Sequence, residues 1–304
     1  MIRAIQFLLL ITVIGCTNKE SGDEIIKPKW DIGDYRLFTE KGYYFAKVND
    51  DTIANVSYEK SIKITVFDKN QMGYILQVEI LPLKELAIRS SEDSLETKYN
   101  SALDILKDLT KHSLPYQLRI SSLGEFTEVV DFENYYVRCL NELFKVADTL
   151  KIEEKDRQTL LQITKSDSST KERFRENLWN GIDDYFALYS KVNSINQDFS
   201  EEVSMPYPKT GEPTPATLTY HTTSVDGDIQ EIELTVKLGQ PLSSIQSDTL
   251  KINPTKKIDL NNMRNVTKYS YNQRTSWLEK IESNVNFKTD TVDVRIVSNV
   301  RVVK

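Results

Sequence analysis

The side chains that carry most enzyme chemistry are scarce in this 304-residue chain. It has two histidines, His112 and His221, and two cysteines, Cys16 and Cys139. His112 follows an apolar stretch of helical period just before Ser113-Leu114-Pro115, where a cation suits the negative end of a helix dipole. His221 alternates with Tyr220 and Thr222 in a strand pattern. Two isolated histidines and no cysteine pair supply neither a zinc ligand set nor the base of a Ser-His-Asp triad. Cys139 shares an apolar helical stripe with Tyr136, Leu143 and Leu150. A reactive thiol needs a basic or helix-start setting, so a buried, inert one is expected there. Asp183-Asp184 and Glu153-Glu154 are paired carboxylates, the residue type of glycoside hydrolysis. Neighbours on a helix point about 100° apart, so one of each pair is expected in solvent. Asp226-Gly-Asp228 lacks the further oxygen ligands of a calcium loop and reads as a hairpin turn. The ten glycines are scattered and form no phosphate loop, so no cofactor and no metal is expected.

Three short motifs remain. Ser168-Ser-Thr-Lys171, Ser194-Ile-Asn196 and Lys209-Thr-Gly211 resemble, in order, the three motifs of penicillin-recognising serine enzymes. That resemblance implies Ser168 as nucleophile, Lys171 as its partner and Lys209 on a strand beside a cleft. Spacing excludes it. All three lie within 44 residues, too few to hold the helical domain and sheet that separate them in those enzymes. Lys209 also falls in a proline-rich connection. Ser169 with Glu172 reads more simply as a capping box, and Ser57-Tyr-Glu-Lys60 shows that the first motif recurs by chance. No catalytic residue is assigned, and the chain is read as a non-enzyme.

The amino terminus carries a clearer signal. Arg3 precedes an apolar run from Ala4 to Ile14, broken only by Gln6 and Thr12, and Gly15-Cys16 follows. These are the parts of a secretory signal. A helix of eleven residues spans about 16 Å, half of a bilayer core, so the run is too short to cross a membrane. Val13-Ile14-Gly15-Cys16 resembles the lipobox of bacterial lipoproteins. The resemblance implies cleavage before Cys16, diacylglycerol in thioether linkage on its sulfur, and a further acyl chain such as palmitate on the new amino terminus. It implies a protein of the Gram-negative cell envelope, held in the outer membrane on its periplasmic or surface side. Residues 1–15 are then the signal peptide. Residues 16–29 are too poor in apolar side chains to order themselves and read as a tether.

Removing the signal leaves 289 residues with a formal charge of −7 and no basic block, which argues against nucleic acid as a partner. Only Cys139 then remains besides Cys16, so no internal disulfide can form and stability rests on packing.

The framework follows from periodicity. Ile62, Ile64 and Val66, then Tyr74, Leu76, Val78 and Ile80, alternate on either side of a turn at residues 68–73, and Gly42–Lys47 adds a preceding strand. Helical period takes over with Tyr99, Ala102, Leu103, Leu106 and Leu109, up to Pro115. Short strands are expected at 116–120 and 125–130. Helices follow through Tyr136, Leu140 and Leu143, from near Ile152, and from Thr170 to Ile195. Pro206, Pro208, Pro213 and Pro215 predict a stiff extended connection. Beyond it Leu218 and Tyr220 pair across Asp226-Gly227 with Ile232, Leu234 and Val236. The last thirty residues alternate as two long strands: Trp277, Ile281, Val285 and Phe287 face inward on one, and Val292, Val294, Ile296, Val300 and Val302 on the other.

This pattern predicts an α+β fold: a long antiparallel sheet, curved as a half-barrel, from both chain ends, with a helical middle region packed on its concave face. Residues 30–202 hold the N-terminal strands and helical region. Residues 203–304 hold the C-terminal strands, in one sheet with 30–130 or as a separate α+β subdomain split near residue 200. The step Arg274-Thr-Ser-Trp277-Leu278-Glu279 into two long strands resembles the half-barrel of periplasmic lipid-carrier proteins, though the helical middle is larger here. More broadly the chain resembles Gram-negative envelope lipoproteins of unknown function. The expected function is that of a lipid-anchored binding protein, holding an apolar ligand or an envelope protein partner. A structural or assembly role through protein contacts is the alternative, with a carboxylate hydrolase third. The membrane is the expected partner of the anchor. No ligand-binding residue is assigned.

Overall fold

A computed structural model describes residues 24–48, 51–89, 110–149, 168–193, 198–206, 213–239, 264–288 and 292–303. Cys16, the stripe at 99–109, Glu153-Glu154, Ser194-Asn196 and Lys209 lie outside them.

The expected α+β architecture is not the one that forms. The described residues are mostly strand: β1 (Glu24–Ile25), β2 (Tyr35–Val48), β3 (Asp51–Asn70), β4 (Gly73–Ile80), β5 (Glu85–Arg89), β6 (Tyr116–Ser121), β7 (Phe126–Val130), β8 (Val192–Asn193), β9 (Phe199–Pro206), β10 (Pro213–Asp226), β11 (Ile229–Leu238), β12 (Arg264–Asn272), β13 (Trp277–Lys288) and β14 (Val292–Val302). Eleven of them pair in the order β7-β6-β4-β3-β2-β14-β13-β12-β11-β10-β9, and β5 pairs off this path with β3. Helix among the described residues is limited to α1 (Phe132–Thr149), α2 (Ser168–Asn180), a helical end at 110–111 and a 3-10 turn at Asp183–Phe186. Among the described residues these two helices do not make the expected helical layer over the sheet; they meet it locally, at β6 and β7. Sequence periodicity overstated helix after residue 180, because Gly181 follows α2 and Ile182, Phe186 and Tyr189 keep an apolar spacing while the backbone turns tighter.

The proline cluster also differs from expectation. β9 and β10 pair antiparallel from Pro213↔Pro206 to Tyr220↔Phe199, so Pro206, Pro213 and Pro215 lie in the strands of a hairpin instead of in an extended connection, and Pro208 falls outside the described residues. β9 ends the strand order, where a missing amide donor costs least.

Cα packing divides the chain into two compact units. The first comprises residues 26–42, 56–190 and 300–304. Here Ile62, Ile64 and Val66 of β3, Tyr74, Leu76 and Val78 of β4, and Tyr116, Leu118 and Ile120 of β6 are buried by strict alternation. The helices meet this sheet through rings: Trp179 stacks on Phe126 at 4.7 Å, Tyr135 lies 5.6 Å from Tyr116, and Phe174 touches Phe132, Tyr135 and Tyr136. Trp30 is fully buried against Tyr74, Phe186 and Tyr189.

The second unit comprises residues 1–25, 43–55 and 191–299. Its β10, β11, β12 and β13 pair in sequence, and Ala216, Leu218, Tyr220, Ile232, Leu234, Tyr269, Tyr271, Ile281 and Val285 are buried along them. A register shift between Ser270 and Tyr271 leaves Glu279 of β13 as the extra residue of a bulge, and Leu278 becomes buried beside Trp277 although simple alternation separates them.

Candidate functional site

Alternation along β2 and β3 has a consequence in the first unit. The residues that face inward with Ile62 and Ile64 continue backward as Lys60 and Tyr58. Across from them Phe38, Glu40 and Gly42 form the inward set of β2. Three polar side chains therefore enter a face that is otherwise apolar. Glu40 is only 8% exposed. It accepts a 2.5 Å hydrogen bond from the Tyr58 hydroxyl and pairs with Lys60 at 2.8 Å. Buried carboxylates persist when paired and hydrogen-bonded, and Glu40 is both. Gly42 makes room for this arrangement: a Cβ there would lie 2.1–2.4 Å from Tyr58 ring atoms. The outer face carries the complementary set, with Glu59 held by Lys41 at 3.0 Å and Lys84 at 3.3 Å. These lysines hold the Glu59 carboxyl below its usual range.

The 3-10 turn delivers Asp183, Asp184 and Tyr185 to the same place. Lys60 acts on both carboxyls, and Glu40 and Asp184 act on Tyr185. Burial, then repulsion by Asp184, pushes the Asp183 carboxyl up to about 8, so it is largely protonated at neutral pH. Asp184 is crowded by neighbours yet keeps exposed surface. Water there offsets part of the burial, so Asp183 is the one raised further. Tyr185 is buried against Phe38, with ring centroids 4.7 Å apart, and its hydroxyl has no hydrogen-bond partner among the described residues. Burial raises it well above the ordinary phenol range, so it remains a donor.

The cluster thus offers a protonated carboxyl, a neutral phenol in need of an acceptor, and the ion pair Glu40–Lys60, all beside aromatic walls. The opposed carboxylates of a hydrolase are a different arrangement. Asp183 Oδ1 accepts the Asp184 backbone amide at 2.9 Å and so is turned back onto its own turn. Among the described residues no three His, Cys, Asp or Glu side chains gather as a metal site.

The other candidates have local roles. Lys171 bonds to the Glu133 carboxylate and lies over the Tyr136 ring, while within α2 Ser169 accepts from Arg173 and Glu172 pairs with Arg175. His221 and Asp198 pair at 2.6 Å in the open, and His112 is exposed. Burial raises the Cys139 thiol, which interacts with Tyr135. Asp226-Gly227-Asp228 is the β10–β11 turn, with Gly227 at φ +57°. Sequence reasoning named Asp183 and Asp184 but missed Glu40, Tyr58, Lys60 and Tyr185. The signal was present: extending the β3 alternation four residues toward the amino terminus puts Tyr58 and Lys60 on the core face.

No protein-family model matches the chain, and no curated protein matches it. A solved structure described as lipid–protein interactions in lipovitellin is similar over 91% of this chain, at 11% identity and a TM-score of 0.43. The chain spans about a quarter (26%) of that protein's length.

Proposed function

We propose that this is a lipid-anchored protein of the bacterial cell envelope that binds an amphipathic ligand without transforming it. The observation that carries the reading is the buried Tyr185 hydroxyl, which lacks a hydrogen-bond partner among the described residues although Glu40 and Asp184 act on it. A buried donor without a partner costs about 1–3 kcal/mol, and a ligand oxygen would relieve that cost. Aromatic side chains around it, Phe38 among them, suit an apolar body attached to a polar head. Cys16 supplies the anchor, and the outer membrane is the proposed location.

The test is native mass spectrometry of protein extracted gently from its host, paired with the Tyr185→Phe variant. The expected result is an amphiphile that leaves with the wild type and is held about 3- to 10-fold less tightly by the variant, the equivalent of one hydrogen bond. Equal retention by both proteins, or no bound amphiphile in either, would contradict the proposal.

A protein partner is the second reading, favoured by one feature of the other unit. Tyr43, partly exposed, stacks parallel to Phe45, and Arg295, fixed by Asp293, lies over the Phe45 ring. Aromatic rings with an arginine are the side chains that dominate protein interfaces. Cross-linking in the native envelope through a photoreactive residue at position 43 would give a discrete adduct in that case.

A further inference from the structure

The first unit gathers apolar side chains at its loop tips. Three successive connections fall at one end of its strands. The turn at residues 31–34 leads into β2, the turn at residues 71–72 joins β3 to β4, and residues 122–125 join β6 to β7. Register fixes them at the same end: Gly33 donates to the Val66 carbonyl, Val66 donates to the Asp34 carbonyl, Asn70 faces Gly73, and Gly73 faces Ser121. β2, β3, β4 and β6 are consecutive in the strand order, so the loops lie within about 20 Å of one another. Each tip carries an exposed apolar residue: Ile32 at 62%, Met72 at 72% and Leu123 at 36%. Phe67, 56% exposed, joins them because a register shift between Val66 and Asp68 leaves it outside the ladder. Scattered apolar residues on a surface are ordinary, but a row of them on adjacent tips marks a surface that is covered in use.

The chain itself indicates the cover. Residues 26–30 cross this same end, where the Tyr74 hydroxyl donates to the Pro28 carbonyl, Lys69 Nζ donates to the Trp30 carbonyl at 2.6 Å, and Gly124 packs beside Pro28. Ten residues separate Ile26 from Cys16, a reach of at most about 35 Å. An acylated Cys16 would therefore keep Ile26, which lies at this end of the unit, within about 35 Å of a bilayer. Charge does not drive the contact, since Lys27, Lys29 and Lys69 are balanced by Asp31, Asp34 and Asp68.

We infer that Ile32, Phe67, Met72 and Leu123 form a shallow membrane-docking edge that seats the anchored protein on the lipid surface. The inference rests on the lipoprotein reading of Cys16, and its test separates the two. Acylated protein in vesicles of phosphatidylethanolamine and phosphatidylglycerol is treated with hydrogen peroxide, and methionine oxidation is followed by peptide mass spectrometry. The Cys16→Ser chain in buffer is the reference, and Met205 the internal control. The expected result is at least fivefold slower oxidation of Met72 on vesicles, unchanged by added salt, with Met205 unaffected. Equal oxidation of Met72 in the two settings, with Cys16 acylated, would overturn docking and leave the anchor intact. Protection that appears without vesicles and grows with protein concentration would assign the surface to a second copy and equally overturn it. If the Cys16 peptide is unmodified, the anchor reading fails by itself. The edge then stands or falls on whether the unacylated chain floats with vesicles and loses that binding in the Ile32→Ser, Met72→Ser, Leu123→Ser variant.

Discussion

Asp183 and Tyr185 lie two positions apart in sequence, and their roles follow from the same effect of one environment. Low polarity keeps the carboxyl protonated and the phenol neutral, so both are donors at pH 7. For Asp183 the effect on stability has a definite sign. Its folded-state value lies above the unfolded one, so the native state holds a proton that the unfolded chain releases between about pH 4 and 8. Stability should be full below pH 4 for this group and fall as pH rises through 8. Asp183→Asn should flatten that slope and raise stability at pH 8 by roughly 1–3 kcal/mol, discounted for the partial exposure of the pair. Urea denaturation at pH 5 and pH 8 measures it, and a parallel loss in wild type and variant would contradict the assignment. Tyr185→Phe makes a separate prediction in ligand-free protein. Removing an unsatisfied hydroxyl should leave the melting temperature unchanged or higher, because nothing in the described structure depends on its hydrogen bond. These residues were only half legible in the sequence. Adjacent carboxylates can be counted in any acidic chain, but which one is buried depends on strands more than a hundred residues away.

Among the elements, strands with clean alternation were legible and polar strands were not. The hairpin of β3 and β4, the short β6 and β7, and the long β13 and β14 follow from apolar residues at every second position. The first half of β3 hides because its inward residues include Tyr58 and Lys60, which read as solvent-facing. β9 hides behind Glu201 and Glu202 and a terminal proline. β12 hides because its inward residues Thr267 and Tyr269 are half polar. Glu201 illustrates the physical reason: Lys191 at 2.9 Å and the Tyr220 hydroxyl at 2.9 Å satisfy it, so a charge that argues against a strand is accommodated in one. Two substitutions test this scale. Gly42→Ala should cost about 1–3 kcal/mol and detach Tyr58 from Glu40, since the new methyl occupies the space of the ring. Gly227→Val should cost about 1–2 kcal/mol for a β-branched residue at φ +57°, while Gly227→Asn should cost less. Thermal denaturation of the three variants reads both effects. A Gly42→Ala protein as stable as wild type would mean that the Tyr58 ring is not seated as described.

For the whole molecule, the balance of helix and sheet was the part least visible in sequence. Apolar residues three and four apart around 182–189 fit a helix, yet they are delivered by a 3-10 turn and the bends that follow. Local spacing cannot distinguish the two when tertiary contacts, here with Trp30 and Phe38, decide the backbone. Function at this scale depends on address. A binding site for an amphiphile and an apolar docking edge both gain their use from a protein fixed at a lipid surface, and the proposed fixing point is one sulfur. The direct measurement is mass spectrometry of the amino-terminal peptide from protein made in its native host. The account predicts a peptide that begins at Cys16 and carries the mass of diacylglycerol and an amide-linked acyl chain. A peptide that begins at Met1, or one that begins at Cys16 with a free thiol, would contradict it.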